Sequence, residues 1–314
     1  MKTYLKNRPI LIIANSSWYL YHYRKLLIEE LNLRGLKTVT ICPLDKSSDN
    51  LSKITLQIPW RINRSKNKNI FNLFVSLIRL IFILRTLKPK LVHSHTLKTN
   101  FLATIASFIL GIPCVLSFAG LGQIKNSKFP KNIILIAILK IIGFLSFREF
   151  GFKFLTRKIN RTYFIFQNKD NKKFIEKFIL KIPKKNKFLI FGSGLPRIYL
   201  NQKKIFSWEK DFKNNKINFS KKKINFIYCA RLLKSKGILT FIELAKNLKN
   251  HKFSVYGGID PSSSDSLNDI DLKIYKEKFT NLQFHGVKPN VLLNISDEYP
   301  VLIVPSLYGE GFPR

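Results

Sequence analysis

The sequence predicts an α/β protein built from two doubly wound domains, each with a parallel sheet between layers of helices. Two observations support this prediction. Short, nearly all-apolar runs alternate with helical patterns along the chain, which is typical of buried parallel strands joined by crossover helices. A stretch rich in Lys and Asn at residues 201–223 interrupts the alternation, and the pattern then restarts. We therefore expect an N-terminal domain at residues 1–200, a connection at 201–223 and a second domain at 224–314.

The individual elements follow from these runs. In the first domain a strand at Ile10–Ala14 precedes a helix at about Tyr23–Arg34, which ends at Gly35. Further strands of this domain are expected at Thr38–Cys42, Leu91–His93, Pro113–Phe118, Tyr163–Phe166 and Phe188–Phe191. The second domain is expected to contain a helix at Thr240–Leu248. Its strands are expected at Ile224–Cys229, Phe253–Tyr256, Leu282–Phe284 and Val301–Val304.

Composition limits the partners. With 314 residues, 46% of them hydrophobic, the chain has enough apolar side chains for two cores. Its 55 Lys and Arg against 18 Asp and Glu give a net charge of +37, which favours phosphate, nucleic acid or an acidic lipid surface as partner. The basic residues are scattered and form no nucleic-acid-binding motif, so we expect no specific nucleic acid partner.

Two apolar segments raise the question of a membrane. Ile70–Leu84 is interrupted by Arg79, and Ile133–Phe147 by Lys140. Both are shorter than the roughly 20 apolar residues that span a bilayer, so a core or interfacial helix is favoured. We expect a cytoplasmic protein that binds peripherally to the inner face of the membrane.

The cysteines indicate the same compartment. Cys42, Cys114 and Cys229 are far apart and lie in or beside apolar runs, unlike a metal site or a secreted disulfide framework. Buried free thiols in a reducing cytoplasm are expected.

Candidate functional residues follow the strands of the second domain, where open parallel sheets bind ligands. Arg231 and Lys236 lie on the loop after Ile224–Cys229 and could bind a diphosphate beside helix-start amides, although ordinary surface charge is a rival interpretation. Gly257 and Gly258 follow the next strand and would let backbone approach a base or ribose, or form a simple turn. Glu310, followed by Gly311 and Phe312, could bind sugar hydroxyls or merely cap a helix.

Together these motifs resemble the retaining glycosyltransferases of family 4, which have the GT-B fold, in the branch that builds bacterial surface polysaccharides. Landmarks of the first domain strengthen the resemblance. They are Ala14–Arg24, His93–Lys98, Gly111–Pro113, Gly120–Gly122, Ile165–Asn168 and Gly192–Gly194. The resemblance implies two Rossmann-like domains facing a cleft, the second of them incomplete because the chain ends within the motif that Glu310 opens.

The resemblance also implies roles for residues. Arg231 and Lys236 would hold the donor diphosphate and Glu310 the donor sugar, and these three are the expected catalytic residues. Further contacts to the donor are expected from Gly257, Gly258, Gly311, Phe312, Gly120, Gly122 and Asn15. The second Glu of the family's E-x7-E motif would lie beyond Arg314, and Ala119 aligns with a His that many members carry near the reacting centre.

The implied reaction moves a hexosyl or N-acetylhexosaminyl unit from a nucleotide sugar, expected to be UDP-linked, to a lipid-linked or polysaccharide acceptor. No cofactor and no metal are expected. For His93 and His95, one packed ring and one facing the cleft are favoured over a metal site. Trp18, Tyr19, Tyr21 and Tyr23 could form a platform for the acceptor or simply pack the first helix. The alternative function is an inactive truncated fragment or a binding-only remnant.

Overall fold

The computed structural model describes residues 8–62, 70–119, 131–147, 162–178, 182–194, 223–261, 263–288, 291, 295 and 300–307. The chain divides into two compact units, formed mainly by Met1–Gly194 and by Leu195–Tyr308. Each unit contains a parallel sheet with helices, which confirms the predicted α/β class. The predicted connection at 201–223 lies, except for Lys223, outside the described residues.

The first unit contains seven strands and six helices among the described residues. The strands are β1 (Ile10–Ile13), β2 (Thr38–Cys42), β3 (Leu56–Pro59), β4 (Leu91–His95), β5 (Cys114–Phe118), β6 (Thr162–Phe166) and β7 (Lys187–Leu189). The helices are α1 (Ser17–Leu33), α2 (Ser48–Ser52), α3 (Ile70–Leu87), α4 (Leu97–Leu110), α5 (Lys131–Phe147) and α6 (Lys169–Phe178).

The strand order of the first sheet is β3-β2-β1-β4-β5-β6-β7, and all neighbours are parallel. Successive residues of β1 alternate between the two faces. Leu11 and Ile13 pack in a core with α3, α4 and α5, whereas Ile10 and Ile12 pack on the other face with α1 and α2. Burial on both faces explains why β1 is entirely apolar. The order reverses between β1 and β4.

Four elements of this unit differ from the sequence prediction, which lacks the helices α2 and α6 as well as strand β3 and places the start of α1 too late. Helix α1 begins at Ser17 rather than near Tyr23, because the Ser16 side chain accepts a hydrogen bond from the Tyr19 backbone N–H and caps the helix. Strand β3 is missing from the prediction. It is an edge strand whose Leu56 is 60% exposed and which ends at a proline, so it lacks the pattern of a buried strand.

The second unit contains the strands β8 (Asn225–Cys229), β9 (Lys252–Tyr256), β10 (Leu282–Gly286) and β11 (Pro300–Leu302). Its helices are α7 (Ile238–Asn247) and α8 (Asp269–Lys278). The order is β10-β9-β8-β11, again all parallel. Four side chains of α7, one turn apart, pack on Phe253 and Val255 of β9; they are Ile238, Phe241, Ile242 and Ala245. Every predicted strand of both units is present, within two residues at each end.

The two apolar segments are helices α3 and α5, as predicted. Among the described residues, no helix has the length and apolar character needed to cross a bilayer. Helix α3 buries Leu80, Ile83 and Leu84 against the sheet and packs beside α4, which packs beside α5.

Candidate functional site

The carboxyl edge of the second sheet brings together two of the predicted motifs and the segment of the chain that precedes Glu310. Loop 230–237 joins β8 to α7, the pair Gly257-Gly258 follows β9, and residues 303–307 follow β11. Because β8 lies between β9 and β11, these segments are neighbours. Ala230 N–H donates to Tyr256 O at 3.1 Å, and Leu307 N–H donates to Ser235 O at 3.0 Å. The structure thus forms a single edge at which Arg231 and Lys236 share one loop.

Arg231 is exposed but not isolated. Its Nη1 forms an ion pair with Asp260 Oδ2, while 57% of the Arg231 side chain is accessible to solvent. An ion pair this exposed contributes about 0–1 kcal/mol, whereas charge-assisted bonds to a diphosphate are stronger. Asp260 therefore orients the guanidinium without preventing it from binding an anion.

Loop 230–237 is held by several hydrogen bonds from the segment after β9. Asp265 Oδ2 accepts from the Ser235 backbone N–H at 3.0 Å, and Asp265 O accepts from Lys234 N–H at 2.8 Å. Leu232 N–H donates to Gly258 O at 3.0 Å. Lys236 ends a 3-10 turn at Lys234–Lys236 and is half-buried. The loop conformation is fixed before any ligand binds, which lowers the entropy lost on binding.

Close backbone packing requires a glycine at position 257 but not at position 258. A Cβ on Gly257 would lie 1.8 Å from Ala230 O. The small size of Gly257 therefore serves the packing of the β8 and β9 ends, an explanation beyond the two that the sequence suggested. Gly258 has more room, since its nearest contact at 2.9 Å is the flexible Val287 side chain.

Several predicted site residues lie outside the described part of the chain. They are Gly120, Gly122, Glu310, Gly311 and Phe312. Asn15 is described and lies half-buried in the bend between β1 and α1, at the carboxyl edge of the first sheet. The role of each of these residues stays a prediction.

A second polar cluster occupies the carboxyl edge of the first sheet, where the strand order reverses. Arg24 Nε donates to His95 Nδ1 at 3.2 Å, Nη1 to Ser193 Oγ at 3.4 Å, and Nη2 to Tyr19 Oη at 2.9 Å. The His93 ring lies against the His95 ring in a tilted arrangement with centroids 4.2 Å apart, and His93 shares a hydrogen bond with Ser117 Oγ at 2.8 Å. Parallel α/β sheets bind ligands at such a reversal.

Both histidines of this cluster are neutral. Burial, followed by the Arg24 charge, lowers the pKa of His93 to about 3. Burial, followed by the neighbouring His93 and Arg24, lowers the pKa of His95 well below its usual value. His95 is fully buried and His93 is half-buried. The described residues hold no group of three His, Cys, Asp or Glu side chains that could bind one metal ion.

Sequence reasoning did not assign a role to Arg24, although a signal was present. Leu20, Arg24 and Ile28 are spaced four residues apart and form the buried face of α1, so a charge interrupts an apolar stripe. The aromatic residues nearby differ in exposure, and a platform for the acceptor stays a prediction. Trp18 is 47% exposed, whereas Tyr19 and Tyr21 pack against the core below α1.

The prediction of three buried thiols is wrong for one of them. Cys42 and Cys114 are buried, and burial raises the pKa of their thiols to about 11 and about 12. Cys229 is a free, exposed thiol. It is the last residue of β8, and the chain leaves the sheet there for the Arg231 loop, so its side chain is not covered.

Comparison with protein families gives a match within the first unit. Residues 9–146 match the family described as glycosyl transferase 4-like. The glycosyl transferase 4-like match covers β1 to β5 and nearly all of α5, and therefore includes the Arg24 cluster except Ser193. Comparison with curated protein sequences gives no significant match.

Solved structures are similar over nearly the whole chain. Sucrose-phosphate synthase from Thermosynechococcus elongatus has a TM-score of 0.68 at 14% identity, covering 98% of this chain and 77% of that one. Anabaena HepE in complex with UDP has a TM-score of 0.63 at 13% identity, with 98% and 76% covered. A glycosyltransferase from Rickettsia africae has a TM-score of 0.58 at 16% identity, with 97% and 74% covered.

These similarities show that the fold is GT-B, as predicted. With the glycosyl transferase 4-like match they also confirm the predicted enzyme class, a glycosyltransferase. Sequence identities this low show the fold but not the substrates. The proposed substrates depend instead on the residues at the carboxyl edges of the two sheets.

Proposed function

We propose that this protein transfers a hexosyl or N-acetylhexosaminyl unit from a UDP-sugar, with retention of anomeric configuration, to a lipid-linked or polysaccharide acceptor in cell-surface glycan synthesis. The observation that carries the proposal is the braced Arg231–Lys236 loop at the carboxyl edge of the second sheet. The similar Anabaena HepE was crystallised with UDP, which supports the choice of a UDP-linked donor.

The proposed mechanism relies on charge stabilisation. As the bond between the sugar and UDP breaks, negative charge develops on the departing diphosphate. Arg231 and Lys236 stabilise that charge from positions set before the reaction, and Glu310 binds the sugar. The acceptor hydroxyl attacks on the same face from which UDP leaves, so no covalent intermediate on the protein is required.

We further propose that the protein binds the inner face of the membrane through α3. The apolar stripe of α3 consists of Phe71, Phe74, Val75, Ile78 and Phe82, with exposures of 47 to 69%. It lies opposite the residues that α3 buries in the core. Arg79 and Arg85 flank it, and a cavity of about 380 Å³ beside α3 is lined by Arg61, Arg79 and four apolar residues. An apolar strip with flanking cations suits an anionic lipid surface.

The transfer reaction is tested with the 314-residue protein, a panel of UDP-hexoses and UDP-N-acetylhexosamines, and a prenyl-diphosphate-linked saccharide. We expect UDP release coupled to a product whose new linkage keeps the donor configuration, as measured by NMR. Arg231→Gln should lower kcat/KM at least tenfold, and Lys249→Gln, a surface control, should leave it within twofold. Folded protein that releases no UDP with any donor would favour the binding-only alternative.

Donor binding can be tested without turnover. Of the three cysteines only Cys229 is exposed, and it directly precedes the Arg231 loop. Bound UDP should therefore slow alkylation of Cys229 several-fold, as followed by mass spectrometry. The protection should disappear in Arg231→Gln and persist in Lys249→Gln. Equal alkylation rates with and without saturating UDP would place the nucleotide elsewhere.

A further inference from the structure

Arg24 is a buried positive charge without an acidic partner in the described part of the chain. Only 7% of its surface is exposed. Its three hydrogen-bond partners, His95, Ser193 and Tyr19, are uncharged, and none of the ion pairs among the described residues includes it. Buried charges are normally paired with an opposite charge. The guanidinium is therefore suited to an anion supplied by a ligand.

The cluster also has hydrogen-bond donors to spare. Arg24 has five N–H groups, and three of them are used within the described residues. Because a guanidinium can only donate, His95 Nδ1 is the acceptor of its bond with Arg24, which places the ring hydrogen on Nε2. His95 Nε2 is fully buried and has no partner among the described residues. A ligand that binds here must therefore offer several acceptor oxygens.

The cluster lies at an edge of the sheet and close to the surface of the first unit. It lies between the carboxyl ends of β1 and β4, where the strand order reverses. Tyr19, His93 and Ser193 are half-buried, so the cluster is close to the surface. The next residue after His95 is Thr96, a β-branched residue at φ 76°. Strain of this kind is concentrated at ligand sites, and Lys98 adds a further cation at the start of α4.

We propose that Arg24, His95, Tyr19 and Ser193, here named the Arg24 site, bind a phosphate or diphosphate group of the acceptor substrate. This inference rests on the proposed function, in which the donor diphosphate binds the Arg231–Lys236 loop of the other unit. The planar guanidinium binds two phosphate oxygens side by side, and His95 Nε2 donates to another. A diphosphate-linked acceptor would thus be recognised by its charged end, whatever glycan it carries.

The test uses the 314-residue protein, labelled with ¹⁵N-histidine and saturated with UDP so that the donor site is occupied. The His95 Nε2–H signal is assigned with His95→Gln, and inorganic pyrophosphate or farnesyl diphosphate is then titrated. We expect both ligands to shift this signal, the lipid diphosphate at lower concentration if the acceptor is lipid-linked. A free diphosphate that binds equally well would indicate that the lipid is not recognised at this site, and would still support the anion site.

Variants of Arg24 distinguish a role in ligand binding from a structural role. Arg24→Gln should weaken pyrophosphate binding at least tenfold. Arg24→Lys keeps the charge but loses the planar guanidinium that can bind two oxygens side by side, and it should weaken binding several-fold. The neighbouring Lys25→Gln and the second-unit Arg231→Gln should stay within twofold of the original protein. Without ligand, Arg24→Gln should melt no lower than the original protein, because it removes a buried uncompensated charge. A purely structural role for Arg24 would give the opposite melting result.

Three results would overturn the inference. They are the absence of a shift at His95 with either ligand, unchanged affinity in Arg24→Gln, and displacement of pyrophosphate from His95 by UDP, which would assign the cluster to the donor. The transfer assay keeps the two proposals apart. Sugar transfer without a His95 response contradicts only the Arg24 site, whereas a His95 response without transfer from any donor contradicts only the proposed function.

Discussion

At the scale of single residues, two constraints favour glycine at position 237: a left-handed backbone conformation and close packing against Pro305. The φ of Gly237 is +79°, and an added Cβ would lie 2.0 Å from Pro305 O. Gly286, in the same unit, has a φ of +71° but nothing within 4 Å of such a Cβ. Gly286→Ala should therefore lower the free energy of unfolding only by the cost of a left-handed residue, about 1–2 kcal/mol. Gly237→Ala should lower the free energy of unfolding by about 1–3 kcal/mol more, because the backbone of residues 303–307 must move.

Urea unfolding of the two glycine variants, followed by circular dichroism, measures this difference. Since Gly237 ends the loop that carries Arg231 and Lys236, Gly237→Ala should also weaken UDP binding, while Gly286→Ala should not. Equal losses of unfolding free energy in the two variants would mean that Pro305 moves aside at little cost.

His93 makes the stability of the first unit depend on pH. Its pKa is lowered from 6.5 to about 3 in the folded state, so between these values the unfolded chain binds a proton that the folded chain excludes. Its contribution to stability is thus complete above pH 6.5 and is lost as the pH falls towards 3. The free energy of unfolding should fall by at most about 1.4 kcal/mol per pH unit from this residue.

Urea unfolding at several values of pH tests the contribution of His93. In His93→Gln the slope below pH 6.5 should be shallower, with a remainder due to His95, whose pKa is lowered in the same direction. Identical slopes in the His93→Gln variant and the original protein would show that His93 is protonated without loss of structure.

At the scale of secondary-structure elements, the apolar stripe of α3 predicts membrane binding. Phe74 and Phe82 are 58% and 69% exposed, so replacing them with Asn should change the free energy of unfolding by about 0.5 kcal/mol or less. Burying a large apolar side chain contributes about 1.5–3 kcal/mol, and partial burial in lipid should contribute part of this. The double variant should therefore bind anionic vesicles at least about tenfold more weakly.

Cosedimentation with vesicles provides the measurement for the stripe. Leu33→Asn is the matched control, since Leu33 is 84% exposed on α1, on the other face of the sheet. It should bind as well as the original protein, and vesicles without anionic lipid should bind both more weakly. If the double variant binds anionic vesicles unchanged, the attraction is due to the net charge of +37 alone.

The elements also show what a sequence can predict. Strand β1 was predictable because burial on both faces makes it continuously apolar. Helix α8 was not, since none of its residues is buried and its only clear signal is the capping box of Asn268 and Asp271. The Arg231 loop was found by its place after a strand, whereas the contact of Arg24 with His95 joins residues 71 positions apart.

At the scale of the whole molecule, each unit has its own hydrophobic core, so unfolding should not follow a single two-state transition. UDP is proposed to bind the second unit and should raise the urea midpoint of that unit. At 100 times its Kd a ligand stabilises by about 2.7 kcal/mol. Pyrophosphate, added with UDP, should raise the midpoint of the first unit in the same way if the Arg24 site is correct.

Pulsed hydrogen exchange in urea, read by mass spectrometry, resolves the two units. Peptides from β4 and α4 report on the first unit, and peptides from β8 and α7 on the second. Arg231→Gln should abolish the UDP effect on the second set and preserve the pyrophosphate effect on the first, while Arg24→Gln should do the reverse. A common midpoint for both sets, shifted together by either ligand, would show that the units unfold as one, and the two anion sites would then have to be treated as parts of a single coupled system.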